Sequence, residues 1–449
     1  MTKTAAVVLA AGMGTRMKSR LPKVLHPVAG RPMVAHVTGT LETLAGGLER
    51  LVVVIGPDMD AVAQAVAPYP TAVQEDRLGT GHAVLQARDA LDGSDADTVL
   101  VVYGDTPLIT RETLARMVAA RQGAGNPAVV VLGFRPADPT GYGRLVTSAD
   151  GLEAIVEQKD ATEVQRAITL CNSGVMAIDA QMLVPLLERV GNDNAKGEYY
   201  LTDIVGLARS DGRSCVVVEG AEQEMLGVNS RLELAQAERV CQDLLRRKAM
   251  ENGATLVAPE TVFFSADTVL GRDVQIEPFV TFGPGVTVAD GVTIKSFCHL
   301  EGATLGSGVT LGPHARLRPG TDVQEGARVG TFVEVKNSRV EAGAQVNHLA
   351  FIGDARVGAK ANIGAGTITC NFDGFEKHHT DIGAGAFVGS NTALVAPITV
   401  GDRAFVGAGS TLTRDVPADA LALTRADLTQ REGWATRLHR RMARVLDKR

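Results

Sequence analysis

A doubly wound α/β domain followed by a hexapeptide β-helix is the fold the sequence predicts, on three observations. Residues 1–228 alternate short branched-aliphatic runs with amphipathic stretches. From about residue 255 an aliphatic residue recurs every six positions. The 449 residues include 49 glycines but only 4% aromatics, the composition of an architecture that turns often and packs small aliphatic side chains.

Strands read at "AAVVLA", "RLVVVIG", "DTVLVVYGD", "AVVVLGF", "CNSGVMAID" and "CVVVEG". Helical patterns lie between several of them, as in "RPMVAHVTGTLETLAG" and "TLARMVAARQ". Strands apolar on both faces belong in a sheet covered on both sides, and their alternation with helices makes that sheet mostly parallel. Residues 143–158, "GRLVTSADGLEAIVEQ", read instead as a hairpin turning at Asp150 and Gly151.

Residues 230–251, "SRLELAQAERVCQDLLRRKAME", form a long amphipathic helix, with Ser230 as N-cap and Glu233 three residues on, a capping box. Neither neighbouring pattern continues through it. The expected organisation is therefore a domain over 1–228, a linker helix over 229–251 and a second domain over 252–449.

In that second domain Leu270, Ile276, Phe282, Val288, Ile294 and Leu300 keep one six-residue phase. Leu305, Leu311, Leu317, Val323, Val329 and Val335 follow a five-residue step; Val340, Val346 and Ile352 follow another, then Val357 and Ile363. After an eleven-residue insertion, "CNFDGFEKHHT", the series resumes near Ile382 and runs through Val388, Leu394, Val400, Val406 and Leu412. Such a repeat stacks its aliphatics inward and places small residues at tight corners, each rung burying its core only against its neighbours.

The net charge of −6 argues against a nucleic-acid partner, which calls for a basic stripe, but leaves anionic small molecules open. No run approaches the ~20 apolar residues of a membrane span, so no membrane insertion is expected. The N-terminal "MTKTAAVVLAAG" is a poor signal peptide, since Arg16 and Lys18 follow its short apolar run; a buried strand explains it better. The cysteines at 171, 215, 241, 298 and 370 show no CxxC or metal-ligand spacing and read as free thiols of a reducing cytoplasm. The tail "TQREGWATRLHRRMARVLDKR" is basic, compatible with a helix, and reads as a solvated terminal segment.

Chemistry is first suggested by "LAAGMGTRM", residues 9–17, directly after the first strand. A glycine-rich turn between strand and helix presents backbone N–H groups to phosphates. It is not a P-loop, lacking the Gly-Lys-Ser/Thr ending, and Met17 stands where the dinucleotide fingerprint has its third glycine. Arg16 and Lys23 bring two cations near one crevice, suited to a triphosphate and to charge developing on a transferred phosphorus. Read alone, Lys23 is equally a surface lysine after a proline turn. Asp105, in "VVYGDTP", ends a strand where open α/β sheets bind ligands. It is a candidate Mg²⁺ ligand, since that ion takes few protein oxygens, or else an N-cap to the next helix. In the second half His348 falls where the repeat asks little of it. Its imidazole could accept a proton from an attacking amine, or it is an exposed corner histidine. The insertion, able to wall a cleft, favours the former.

"LAAGMGTRM…PKVLH", "QEDRLGTGHA", "YGDTPL", "GYGR", "VEQKDAT", "NSG", "YYLTD" and "GVNSR" occur in that order, followed by "NHLAFIGD", "NIGAGTITCNFDG" and "FVGSNTALVAP". Together they resemble the bacterial bifunctional enzymes that make UDP-N-acetylglucosamine. In these, N-acetylglucosamine-1-phosphate uridylyltransferase is fused to glucosamine-1-phosphate N-acetyltransferase. The resemblance covers nearly the whole chain. It implies a Rossmann-like nucleotidyltransferase domain, a left-handed β-helix, Mg²⁺, UTP and acetyl-CoA, a homotrimer, and a cytoplasmic location.

By that resemblance Leu9, Ala10, Ala11 and Gly12 cradle the uracil nucleotide, Arg16 and Lys23 meet the phosphates, and Gln74, Gly79 and Thr80 contact uridine, with Tyr103 and Gly104 beside them. Asp105 and Asn229 match the Mg²⁺ ligands; Gly143, Glu157 and Asn172 match contacts to the sugar phosphate. In the second half the resemblance makes His348 the general base, with Glu334 a candidate to orient it. Arg318, Lys336, Phe351 and Asn362 take the acceptor-binding positions; Ala365, Asn371, Phe372, Ser390, Ala408 and Arg425 take those associated with acetyl-CoA. Phe351 and Phe372 depart from the family, which has tyrosine at both. The rival reading is a sugar-nucleotide pyrophosphorylase whose β-helix only oligomerises or regulates it.

Overall fold

A computed structural model describes residues 3–44, 46–194 and 196–446. The chain divides into two compact units: residues 1–247 with 264–266, and residues 248–263 with 267–449.

The first unit is built on a nine-stranded sheet: β1 (Thr4–Leu9), β2 (Leu48–Ile55), β3 (Thr71–Val73), β4 (Thr98–Tyr103), β5 (Val129–Phe134), β6 (Arg144–Ser148), β7 (Gly151–Val156), β8 (Cys171–Asp179) and β9 (Cys215–Glu219). The order across it is β9-β5-β8-β4-β1-β2-β3. β1 lies parallel between β2 and β4, and β3 and β9 are also parallel to their neighbours. Only β8 runs against β4 and β5 on this path. The expected hairpin forms as β6 and β7, turning through Gly151 at φ 108°.

Both faces of the sheet are covered. Ala5, Val7 and Leu9 of β1 pack into one core, while Ala6 and Val8 pack into the other. The strand pattern requires this, because successive side chains point to opposite faces. The C-terminal ends of β1 and β4 therefore meet solvent side by side, where loops can carry a site.

A helix over Arg231–Glu251 follows β9. Ser230 Oγ accepts the Glu233 N–H at 3.3 Å, but the Glu233 carboxylate takes the N–H of Asn229, one residue earlier than a capping box has it. The Gln242 amide exchanges two hydrogen bonds with the backbone of Phe264, at 2.6 and 2.8 Å, which holds residues 264–266 in the first unit.

The second unit is the hexapeptide-repeat, left-handed parallel β-helix, its short strands forming three parallel sheets. Ile276, Ile294, Leu311, Val329, Val346, Ile363, Val388 and Val406 pair in succession, so every rung presents an aliphatic at the same place. The five-residue steps shorten a rung without breaking this register. The insertion is shorter than the sequence pattern suggests: Cys370 ends the strand Ile368–Cys370 and Thr380 opens Thr380–Ile382, leaving 371–379 as the loop.

The corners differ from expectation too. They are not reserved for small residues: Phe279, Phe297, His314 and Phe332 all adopt positive φ, between 53° and 63°. Their rings stack up the outside of the helix with centroids 5.1, 4.8 and 4.9 Å apart. Stacking of successive rungs offsets the strain of a left-handed conformation at bulky residues.

All five cysteines are free thiols. Among the described residues no helix is long and apolar enough to cross a membrane.

Candidate functional site

The loop after β1 and the loop after β4 wall a cleft of about 350 Å³, to which Leu9, Ala10, Ala11, Gly12, Lys23, Gln74, Gly79, Thr80, Tyr103, Asp105 and Asn229 all contribute. Local sequence explains the assembly. Gly14, at φ 61°, leaves room for Lys23, whose Cβ would lie 2.5 Å from any Cβ placed there. Pro22 then turns the chain so that Lys23 enters the short helical turn Lys23–Leu25. Gly79, at φ 116°, lies so close to the Tyr199 carbonyl that a Cβ would come within 2.6 Å of it. This contact docks "YYLTD" on "LGTGHA", with Leu201 N–H donating to Thr80 Oγ1 at 3.0 Å. Buried Gln74 is held by the Gly79 carbonyl at 3.0 Å and by His82 at 3.1 Å.

At the floor of the cleft the Lys23 ammonium contacts the Asp105 carboxylate and donates to Asn229 Oδ1 at 3.0 Å. Both charged side chains are largely buried. The backbone brings them together: Val228 N–H donates to the Asp105 carbonyl at 2.9 Å, placing Asn229 beside the end of β4. Asp105 does not cap a helix; Thr110 caps the next one. Two hard oxygens thus converge on one cationic atom. That donor set fits Mg²⁺, which takes oxygen ligands and completes its shell with water and phosphate.

Gly143, Glu157 and Asn172 form a second group. Asn172 N–H donates to the Gly143 carbonyl at 2.8 Å, and Glu157 Oε1 would lie 3.4 Å from a Cβ on Gly143. Burial pushes the Glu157 carboxyl up; Lys196 opposes this, while Asp160 and Asp203 add to it. Tyr103 joins this group to the cleft. Its hydroxyl is raised well above the usual range, first by burial and then by Asp105 and Glu157. Gly104 packs under Leu9 through a 2.9 Å hydrogen bond. Arg16 is exposed on the turn Thr15–Met17 and does not line the cleft.

In the β-helix, register places the other candidates. The pairings of Val346, Ile363, Val388 and Val406 put His348, Ala365, Ser390 and Ala408, each two residues on, in one column along a corner. Arg425 comes back to this column, its Nη2 3.4 Å from where a Cβ of Gly407 would be. On the next sheet Arg318 and Lys336 follow the paired Leu317 and Val335 on successive rungs. Arg318 donates to Glu334 at 2.9 Å. Phe351 and Asn371 both lie over Gly353, within 2.7 and 2.8 Å of the point a Cβ there would occupy, and Asn371 is held by Asp354. Asn362 flanks the inward Ile363, half-buried, while His348 and Phe372 are exposed.

Residues 6–170 match the family described as the MobA-like NTP transferase domain, and residues 267–302 match the bacterial transferase hexapeptide (six repeats). The chain is 69% identical to the bifunctional protein GlmU of Rhodospirillum rubrum, over 100% of both chains. It is 63% identical to that of Paramagnetospirillum magneticum over 98% of both, and 60% identical to that of Azorhizobium caulinodans over 96% of both. The chain belongs to the bifunctional GlmU family.

Membership of the GlmU family makes this a transferase with two active halves rather than a pyrophosphorylase with an inert β-helix. Two residues that the sequence alone does not single out become prominent in the GlmU frame. Arg77 lines the cleft between the loops after β1 and β4 and donates to the Ala11 carbonyl at 2.8 Å, holding the glycine-rich loop. Lys377, in the loop 371–379, faces Lys336 and pulls its ammonium below the usual range, Asp354 partly opposing this. The charged "EDR" triplet and "EK" pair were the available signals, but only folding shows which charge meets a candidate site residue.

Proposed function

We propose that each half carries one step of UDP-N-acetylglucosamine synthesis. The β-helix transfers acetyl from acetyl-CoA to glucosamine-1-phosphate. The α/β unit then transfers uridylyl from UTP to the resulting N-acetylglucosamine-1-phosphate. The observation that carries the reading is the convergence of Lys23, Asp105 and Asn229 in a cleft at the carboxyl ends of β1 and β4.

In the uridylyl step a phosphate oxygen of the sugar forms a bond to the α-phosphorus of UTP as the bond to pyrophosphate breaks. No proton transfer is demanded, so positioning and charge neutralisation dominate. Asp105 and Asn229 would hold Mg²⁺, which supplies positive charge to the phosphate oxygens. Lys23 neutralises phosphate charge from the same floor, with Arg16 on the exposed turn that precedes it. Gln74, Gly79 and Thr80 surround the base, while Gly143, Glu157 and Asn172 orient the sugar.

In the acetyl step the acceptor amine forms a bond to the thioester carbonyl carbon. The proton of that amine passes to a ring nitrogen of His348, and the carbon–sulfur bond breaks to release the CoA thiolate. Arg318, Lys336 and Lys377 supply positive charge for the acceptor phosphate, with Phe351, Asn362 and Asn371 beside it. Ala365, Phe372, Ser390, Ala408 and Arg425 line the path of acetyl-CoA. His348 is exposed in the single chain, which suits a site completed by a neighbouring copy; we assign the protein as a cytoplasmic homotrimer.

Paired assays of the full-length protein test this. Asp105→Ala should abolish UTP-dependent pyrophosphate release and leave CoA release intact. His348→Ala should cut CoA release by roughly 10²–10⁴-fold and leave uridylyl transfer to supplied N-acetylglucosamine-1-phosphate intact. Loss of both activities in either folded variant would overturn the two-site reading.

A further inference from the structure

The last helix, Trp434–Leu446, has no part in either site described above. Its sequence, WATRLHRRMARVL, separates cleanly at 3.6 residues per turn. Trp434, Leu438, Met442 and Val445 share one face, with Leu446 at its edge. Arg437, Arg440, Arg441 and Arg444 gather on the flank beside it, Arg441 adjoining Trp434, and the helix contains no acidic residue. All of it is exposed, Trp434 at 52%, Met442 at 52% and Leu446 at 67%. It follows residues 426–433, an exposed stretch without helix or strand.

A 13-residue helix is marginal in water unless something covers its apolar face. The occupant must match both an apolar stripe and a dense guanidinium face. An anionic lipid surface supplies both at once: acyl chains for Trp434, Leu438 and Met442, and phosphates for the arginines, whose planar forks suit them. A tryptophan at the end of the stripe belongs at the headgroup level, where one side is apolar and the other wet. The charge is local. The chain as a whole carries −6, so the attraction to an anionic surface comes from this segment and not from the net charge. The helix is too short to span a bilayer, which needs ~20 residues.

We propose that Trp434–Leu446 is a membrane-surface anchor that lies in the headgroup layer of an anionic bilayer and holds the enzyme against it. The trimer assigned above would present three such helices and strengthen attachment by avidity. A single copy already contains the recognition surface.

Trp434 is the chain's one tryptophan, so its emission reports on this helix without labelling. The full-length protein is titrated with vesicles of phosphatidylcholine mixed with phosphatidylglycerol, and with phosphatidylcholine alone. Emission is expected to shift to the blue and the protein to sediment with the mixed vesicles. The apparent affinity should fall at least about tenfold on neutral vesicles or at high salt, since screening removes the arginine contribution. The double variant Leu438→Glu, Met442→Glu should lose both signals while keeping the native oligomeric mass and uridylyl transfer. The proposal is overturned by an unshifted emission with anionic vesicles, or by sedimentation that persists in the double variant. A change of oligomeric mass in that variant would also overturn it, assigning the face to a second copy of the chain.

Discussion

The Glu233 carboxylate accepts the backbone N–H of Asn229 at 2.8 Å, so the first turn of the helix Arg231–Glu251 fixes a residue at the floor of the cleft between the loops after β1 and β4. Asn229 in turn receives the Lys23 ammonium, which also contacts Asp105. What reads in sequence as a capping residue therefore positions a candidate metal ligand.

Groups that orient a metal ligand typically affect metal affinity by about 10–100-fold. Glu233→Ala should accordingly raise the Mg²⁺ concentration for half-maximal uridylyl transfer by roughly 10–100-fold, with CoA release unchanged. Glu233→Gln, which keeps a carbonyl acceptor, should restore most of the loss. An unaltered Mg²⁺ dependence in the alanine variant would reduce Glu233 to a helix cap.

Gly14→Ala should reach the same site from the other side. The new methyl must be accommodated at φ 61° and against Lys23 Cβ at 2.5 Å, so Lys23 has to move. Displacements of about 1 Å from productive geometry can cost 10²-fold in rate, and a loss of uridylyl transfer of roughly that size is expected. Unchanged kcat and KM for UTP would show that Lys23 does not depend on this contact.

Glu157 links stability to pH. Its folded-state pKa lies above the ordinary glutamate value, chiefly because of burial. The folded state thus favours the protonated form. Its contribution to stability is present at acid pH and is lost as pH rises through the raised value. Glutamine mimics the protonated carboxyl. The melting temperature of Glu157→Gln, relative to the parent, should therefore increase as pH rises from acid to neutral. The KM for the sugar phosphate should worsen at neutral pH. A difference in melting temperature that does not vary with pH would dissociate Glu157 from this balance.

Much of this architecture was legible because it rests on local repetition. Val7 and Val8 of β1, buried on opposite faces, announce a two-sided strand, and Val329 or Val346 needs only its neighbours six residues away to define a rung. Pairings between distant segments were not legible in that way. Nothing in "CNSGVMAID" shows that β8 runs against β4 and β5. The three-residue β3 was too short to leave a pattern. Phe279, Phe297 and Phe332 sit at corners because each stacks on a ring of a neighbouring rung, a benefit invisible to a rule about small residues. The glycine-rich loop, Lys23 and Asp105 could be picked out one by one, whereas Arg77 and Lys377 became candidates only through what they face.

The acceptor side of the β-helix offers a test of where this chain departs from its family. By the family resemblance, Phe351 stands at a position expected to hold tyrosine. The ring lies over Gly353, with its Cζ 2.7 Å from the point a Cβ there would occupy, and the Asn371 amide shares that space. Glycine is what lets both side chains settle there, and Lys336 pairs with Gly353 on the preceding rung. A hydroxyl added at Cζ would therefore enter a polar neighbourhood containing Asn371 and Lys336. One added hydrogen bond contributes about 0.5–1.5 kcal/mol, and more when its partner is charged. The reaction itself does not depend on it, because His348 and the cationic residues are untouched. Phe351→Tyr should lower the KM for glucosamine-1-phosphate by several-fold while leaving the KM for acetyl-CoA and the kcat nearly unchanged. An unchanged or higher acceptor KM would mean that the crowding over Gly353 excludes the hydroxyl, and that this chain binds its acceptor without a donor at position 351.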